Sequence, residues 1–340
     1  MTRTSTQEKV AFLGRPRSYA EQPRAVEVIE THMSWVFLTD RHAYKLKKPV
    51  RWNSLDFSTP ELRRHHCEEE LRLNRRLAAG VYLGVIALTV EANGALALGG
   101  AGKPVDWLVQ MRRLPAARML DRLIREGHLV LADVRPAALR LACLYAEARP
   151  IPLAPSAYRK QLAEGVCSDL QTLRRPEFRL PSDRVRAIAD AQLQFLERHA
   201  ALFDQRAREG RIVEGHGDLR PEHVCLGVQP LVIDCLEFNR DWRVLDPADE
   251  LAYLALECVH AGAAWIGDVA LASYREQAAD PVPAGLLAFY QAYRAGIRAR
   301  LCAWHLHDHP DPADQGRWIA RAQRYLDLAQ RRACADPVRP

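Results

Sequence analysis

Short apolar runs separated by polar turns dominate the first third of the chain. Val36-Phe37-Leu38, the polar Thr39-Asp40-Arg41-His42 and then Ala43-Tyr44-Lys45-Leu46-Lys47 predict two short strands around a turn, with Pro49 limiting the second. Thr59-Pro60-Glu61 opens a helical run to about Leu77, with Pro60 suited to a first helical turn. Val81 to Leu98 returns to β-rich composition, broken at Ala92-Asn93-Gly94, and Val105 to Met111 predicts another strand. From Ala116 onward the pattern turns helical: Met119 to Glu126, Pro136 to Ala148, Tyr158 to Leu173 and Asp183 to Arg208. Ile212 to Phe238 interrupts with short apolar strands. Helices then resume over Pro247 to Glu257, Val269 to Gln277, Pro283 to His305 and Asp314 to Cys334.

This order predicts an α+β protein with a small mixed N-terminal lobe and a larger, mainly helical C-terminal lobe. The expected divisions are an N-terminal extension over 1–26, an N-lobe over 27–114, a C-lobe over 115–333 and a tail over 334–340.

Composition narrows the class. A chain of 340 residues that is 48% hydrophobic and 26% charged reads as a soluble globular protein and not as a disordered one. The first residues contain no apolar stretch suited to a secretion signal. The most apolar later region, Leu251 to Leu271, carries Glu257, His260 and Asp268, so a buried helix is expected in place of a membrane span. Eight cysteines without CxxC spacing suggest reduced thiols and a cytoplasmic location. The formal charge of +6 suits anionic ligands, but no nucleic-acid-binding motif accompanies it, so no nucleic-acid partner is expected. The sequence leaves the oligomeric state open.

The chemistry concentrates around two aspartates. Asp218 follows Arg211-Ile212-Val213-Glu214-Gly215 in a loop, and Asp234 ends the second of two prospective strands, Val224 to Leu226 and Leu231 to Ile233. Such a unit would bring a loop carboxylate and a strand-end carboxylate towards one another. Phosphoryl transfer uses that division: one carboxylate positions the attacking hydroxyl and takes its proton, while another holds a divalent cation on the nucleotide phosphates. Two converging carboxylates also repel unless a cation such as Mg²⁺ or Mn²⁺ joins them. Lys45 and Lys47, two residues apart on a strand, share a face, and Lys48 points away.

His216-Gly217-Asp218-Leu219, Val232-Ile233-Asp234 and Tyr44-Lys45-Leu46-Lys47-Lys48-Pro49 together resemble the aminoglycoside phosphotransferase and choline kinase-like family. Thr31 to Leu38 and Asp234-Cys235-Leu236-Glu237-Phe238-Asn239 resemble a bacterial subgroup of predicted aminoglycoside phosphotransferase-like kinases. The likeness runs from about Glu27 to Glu257. It implies a bilobal protein-kinase-like fold and transfer of the γ-phosphoryl of ATP or GTP, with Mg²⁺ (Mn²⁺ as the alternative), to a small hydroxylated acceptor.

Residue by residue, the resemblance makes Asp218 the base or hydroxyl-positioning group, Asp234 the principal metal ligand and His216 a brace of the loop. Lys47 matches the lysine that contacts the α and β phosphates, fixed by a carboxylate of the following helix. Glu68, Glu69 and Glu70 are candidates, and Glu70 is preferred because it shares a face with Asn74 and Leu77. An aspartate near Asp249 would brace the catalytic loop.

Three departures from the family pattern bear on activity. His223 stands where the family usually has a metal-binding Asn; it would bind metal, contact a phosphate, or leave coordination to Asp234, Glu237 and water. Arg220 replaces a frequent His, to reach the phosphoryl or acceptor or to pair with Glu222 or Asp241. No Gly-rich loop precedes Lys47, so the hydroxyls and amides of Thr31 and Ser34 are expected over the phosphates. The backbone from Met111 to Leu114 is expected to hold the base, and Glu237, Arg240, Asp241 and the acidic groups of Asp246 to Glu257 to lie near the acceptor. The alternatives to a kinase are a nucleotide-binding regulator with little turnover and a basic nucleic-acid-binding protein.

Overall fold

The computed structural model describes residues 4–52, 55–308 and 312–333. The expected tail 334–340 lies outside them. The chain divides into two units: Met1–Arg122 with His223–Trp242, and Leu123–Glu222 with Arg243–Pro340. The first is mixed and the second mainly helical, so the expected bilobal α+β architecture holds.

The first unit opens with α1 (Thr6–Leu13), followed by β1 (Glu27–Glu30), β2 (Ser34–Leu38) and β3 (His42–Lys47). Then come β4 (Arg51–Trp52), β5 (Leu55–Asp56), α2 (Pro60–Ala78), β6 (Tyr82–Val90), β7 (Leu96–Leu98) and β8 (Lys103–Arg112). A six-stranded antiparallel sheet runs β1-β2-β3-β8-β6-β7.

Alternation along the strands sorts side chains between the faces of this sheet. Tyr44 and Leu46 join Phe37, Leu88 and Leu108 in one cluster, closed by Leu13 and Tyr19. Ala43 joins Val109, Met111 and Tyr82 on the other side, against Cys67 and Ala78 of α2. Lys45 and Lys47 follow Ala43 at the two-residue period, which directs both ammoniums towards α2.

Helix α2 starts where its sequence stops being extended. Thr59 caps it, accepting from the Leu62 amide at 3.2 Å, and Pro60 stands in the first turn. Its buried stripe, Arg63, Cys67, Glu70, Asn74 and Leu77, follows helical spacing but is partly charged. Arg63 grips Asp106 of β8 through two bonds of 2.7 and 2.8 Å, and Lys9 of α1 reaches the same carboxylate at 2.7 Å. The sequence pattern missed α1, because its anchor is a buried lysine and not an apolar stripe.

The second unit contains most of α3 (Leu120–Glu126), then α4 (Leu131–Ala146), α5 (Pro155–Leu173), α6 (Ser182–Arg198), α7 (Ala200–Arg208) and β9 (Val213–Glu214). Strands β10 (Val224–Cys225) and β11 (Leu231–Val232) belong to the first unit. The second resumes with β12 (Val244–Leu245), α8 (Pro247–His260), α9 (Ala264–Ala278), α10 (Ala284–Asp308) and α11 (Pro312–Ala333).

Two expected helices need correction. Asp183 to Arg208 is not one helix: His199 leaves helical geometry at φ −110° and ψ 28°, its ring 4.4 Å from Phe195, and separates α6 from α7. The helix expected from Pro136 begins at Leu131, with the proline inside it. No helix among the described residues is long and apolar enough to cross a membrane.

Helix α8 is buried from Pro247 to Cys258 although three of those residues, Asp249, Glu250 and Glu257, are acidic, and so is its buried N-cap, Asp246. Each acid has a partner. Arg206 holds Asp246 at 2.6 and 2.7 Å and Asp280 at 2.6 and 2.7 Å; Arg294 holds Asp249, and Arg298 holds Glu257 at 3.0 Å. Close helix contact is secured by Gly267 of α9, where an added Cβ would stand 2.5 Å from both Cα and Cβ of Ala255. Gly267→Ala is therefore expected to push α8 and α9 apart and to destabilise the protein by roughly 1–3 kcal/mol, read as a lower midpoint in denaturant unfolding.

Candidate active site

The first cluster is built on β3 and α2. Glu70 is fully buried and accepts from both lysines, Lys45 at 3.0 Å and Lys47 at 2.6 Å. Lys45 also reaches Asp234 Oδ1 at 2.6 Å, and Lys47 donates to Glu237. Their surroundings differ: the Lys47 side chain is 0% exposed and lies under Phe57, while Lys45 is 15% exposed. Burial opposes the charge on Lys45, but Asp234, Glu70 and Glu237 outweigh it and raise its pKa well above the ordinary lysine value. Lys47 is likewise raised, burial being overcome by Glu237 and Glu70.

Asp234 reaches this cluster from a hairpin. β10 and β11 pair antiparallel, Val224 opposite Val232 and Cys225 opposite Leu231, at the place where the sequence predicted adjacent strands. Ile233 donates back to the His223 carbonyl at 2.9 Å, and the chain then turns through Asp234 at φ +63°. A left-handed residue other than glycine needs support, which aspartate tolerates better than most. Two amides supply it: Asp234 N–H donates to Tyr82 Oη and Cys235 N–H to Asn74 Oδ1, each at 3.0 Å.

The surrounding protein disfavours charge on Asp234, although 43% of its side chain is open. The Lys45 ammonium outweighs that, with His223 and Lys47 adding, and holds the carboxyl far below the usual range. His223 Nε2 stands 3.6 Å from Asp234 Oδ2. The expected residues Lys45, Lys47, Glu70, Asp234, Glu237 and His223 thus meet within one unit.

Thr31, Ser34 and Met111 sit differently. Thr31 Oγ1 donates to the Ser34 carbonyl at 2.9 Å and accepts from the Ser34 amide at 3.0 Å, closing the β1–β2 turn, and Ser34 is 1% exposed. The Thr31 hydroxyl is thus spent on the turn, and Ser34 takes part in it through its backbone. Met111 lies inside the sheet, opposite Ala43 on one side and Tyr82 on the other.

The second cluster belongs to the helical unit. β9 pairs with β12, and Gly215 N–H donates to the Arg243 carbonyl at 2.7 Å. The loop then wraps Glu250 of α8, which is fully buried. His216 N–H reaches Glu250 Oε2 at 2.7 Å, Gly217 N–H reaches Oε1, and Tyr145 Oη donates to Oε2 at 2.6 Å. Gly217 is left-handed at φ +85°, a conformation that glycine takes without a Cβ penalty.

His216 is fully buried, and its Nδ1 accepts from the Asp218 amide at 3.3 Å. Tyr253 Oη donates to Asp218 Oδ1 at 2.9 Å. Arg220 holds Asp218 Oδ2 through Nη2 at 3.0 Å and Nε at 3.1 Å, and its other arm takes Glu222.

Two expectations are corrected here. The loop's carboxylate brace is Glu250, while Asp249 is committed to Arg294 at 2.6 and 2.7 Å. Asp246, Asp249, Glu250 and Glu257 are all buried in ion pairs or hydrogen bonds, so none is open to an acceptor. Sequence reading also missed Tyr253 and Tyr82. The spacing of Glu250, Tyr253 and Glu257 along one helix face was the available signal for the first.

Among the described residues no group of three or more His, Cys, Asp or Glu side chains is arranged to hold a metal ion. Glu237 is taken by Lys47, which leaves Asp234 with His223 nearby. A Mg²⁺ held mainly by nucleotide phosphates needs only one or two protein carboxylates, and the ionised, half-open Asp234 suits that arrangement better than a resident ion.

The fold is that of choline kinase-like small-molecule kinases. The choline/ethanolamine kinase family protein from Mesorhizobium loti aligns with a TM-score of 0.55 at 17% identity, covering 97% of this chain and 98% of that one. Choline kinase LicA from Streptococcus pneumoniae gives 0.55 at 17%, covering 96% and 100%. No protein-family model matches. An uncharacterized protein of Mycobacterium tuberculosis strain H37Rv is 34% identical over 318 residues, 89% of this chain and 60% of that protein, and one of Mycobacterium bovis matches equally. The chain thus spans 60% of the length of these curated relatives.

The loop geometry makes Glu250 its keystone. Glu250→Ala would leave two amides and a tyrosine hydroxyl buried without their acceptor, a loss of about 3 kcal/mol or more. Glu250→Gln keeps the shape and one acceptor oxygen, so urea unfolding should rank it between wild type and alanine.

Proposed function

We propose that the protein is a cytoplasmic phosphotransferase that moves the γ-phosphoryl of ATP or GTP to a hydroxyl of a small molecule. The observation that carries this reading is Lys45, bonded at once to Glu70 of α2 and to Asp234 after β11. A lysine fixed by a helix carboxylate beside a strand-end aspartate is the arrangement needed to grip nucleotide phosphates together with their cation.

The lysine roles differ from those the sequence resemblance implies. Lys47 is enclosed between Glu70 and Glu237, so it sets the local charge and holds the loop. Lys45, with its partly open ammonium, is the group for the α and β phosphates. Asp234, assisted by His223, would hold Mg²⁺ or Mn²⁺, which supplies charge neutralisation for the transferring phosphoryl.

The acceptor half belongs to Asp218. Its oxygens are oriented by Tyr253 on Oδ1 and by Arg220 on Oδ2, and the carboxylate would position and deprotonate an incoming hydroxyl. As the acceptor oxygen bonds to the γ-phosphorus, the bond to the β–γ bridging oxygen breaks. The hydroxyl proton passes to Asp218, and the nucleoside diphosphate leaves. Glu250 and His216 keep the loop backbone in place and touch no reacting atom. His223 at the usual Asn position favours a second reading, a nucleotide-binding regulator that turns over slowly or not at all.

A nucleotide-consumption screen over sugars, amino-alcohols and aminocyclitols, run with Mg²⁺ and with Mn²⁺, separates the two. The kinase reading expects acceptor-dependent diphosphate release. Asp218→Asn should then keep nucleotide affinity within a few-fold by calorimetry and lower turnover by roughly 10²–10⁴. Full turnover in that variant removes Asp218 from the mechanism, and binding without consumption across the panel favours the regulator.

A further inference from the structure

The two lysines make unequal ion pairs. Lys47 is wholly buried between Glu70 and Glu237, whereas the Lys45–Asp234 pair joins a side chain 15% exposed to one 43% exposed, at 2.6 Å. A closed pair is protected from competition; an open one can exchange partners with solutes. Asp234 is also the carboxylate that the proposed reaction assigns to a divalent cation.

We propose that Lys45 is a tethered counter-cation that keeps Asp234 closed to free divalent ions until nucleotide phosphates draw the ammonium away. The inference rests on the kinase reading of the site and adds an order of binding: cation and nucleotide enter together.

The charge arrangement permits the exchange. Two ammoniums face three carboxylates, Glu70, Asp234 and Glu237. When Lys45 turns to a phosphate, Glu70 keeps Lys47 and is not stranded as a buried unpaired charge. Only Asp234 loses its partner, and a cation then replaces it. Asp234 is held in its left-handed turn by backbone contacts to Tyr82 and, through the next amide, to Asn74. Its carboxylate therefore stays in position when Lys45 leaves.

The test uses the full chain without nucleotide and Mn²⁺ as the probe, with free Mn²⁺ followed by electron paramagnetic resonance. At the Mn²⁺ concentrations that half-load the Lys45 variants, wild type should fill no more than about a tenth of the Asp234 site, within the background of its other carboxylates. Lys45→Met and the polar Lys45→Gln should each bind one Mn²⁺ about tenfold or more tightly, as expected when a site closed most of the time is opened. The gain should vanish in Lys45→Met/Asp234→Asn, and Lys48→Met, which alters the neighbouring lysine, should match wild type. Asp234→Asn alone should leave wild-type Mn²⁺ binding unchanged, because the site is already closed. That measurement decides the matter even if neither Lys45 variant folds.

Wild-type Mn²⁺ binding that equals the Lys45 variants, or that Asp234→Asn abolishes, overturns the proposal; so does a gain that survives loss of Asp234. Diphosphate release by wild type with no gain in the variants would discard the counter-cation and spare the kinase. The gain without turnover on any acceptor would do the reverse.

Discussion

A carboxylate cannot be taken fully out of water without partners, and Glu70 is fully out of water. That constraint organises the first unit. It requires an ammonium within reach, which β3 provides twice because Lys45 and Lys47 lie on one face of the strand. It also fixes how α2 lies on the sheet, since Arg63 and Glu70 of the same buried stripe must both find their charges. The loop after β11 completes the set by delivering Asp234 and Glu237 to the two lysines. The apolar clusters bury the area, and the ion pairs select the register in which it is buried.

The helical unit solves the same problem with α8. Three acids on a helix buried along most of its length, and a fourth at its N-cap, demand four answers, which come from three places: Arg206 of α7, Arg294 and Arg298 of α10, and the backbone of the loop around Gly217. Glu250 is the member answered by amides, so the position of Asp218 is inherited from α8 through the loop backbone. Tyr253, one turn further on, then orients the Asp218 side chain. Loop and helix are one device.

Much of this was legible before the structure. The two strands around Thr39–His42, the helix from Pro60, the hairpin before Asp234 and the change to helices all follow from local pattern, and local pattern survived folding. Glu70 could be chosen among three adjacent glutamates because helical spacing singles out a face. The failures share a cause. α1 is held by a lysine whose partner is 97 residues away, and the division between Lys45 and Lys47 depends on carboxylates 189 and 190 residues away. Periodicity can show that both lysines face α2; which of them stays open is set by distant chain. The same holds for Glu250, an acid in a buried helix whose partners are the amides of a loop more than thirty residues earlier. The break at His199 was invisible because the apolar stripe continues through it.

The spacing of Asp234 and Glu237 carries this one step further. Three residues apart in a short loop, they receive the two neighbouring lysines of β3, and the fold treats the pairs oppositely. Glu237 meets an ammonium with no exposed surface beneath an aromatic ring, a contact that solvent and ligands do not reach. Asp234 meets one at the surface, from a left-handed turn pinned through the backbone and not through its carboxylate. A loop anchored at one acid is free to expose the other. Had both lysines been buried, the loop would be equally firm but Asp234 would be sealed. Had both been open, nothing inside the unit would compensate Glu70 once phosphates arrived. One closed and one open pair is the combination that lets a charged loop remain in place while one of its acids changes partner.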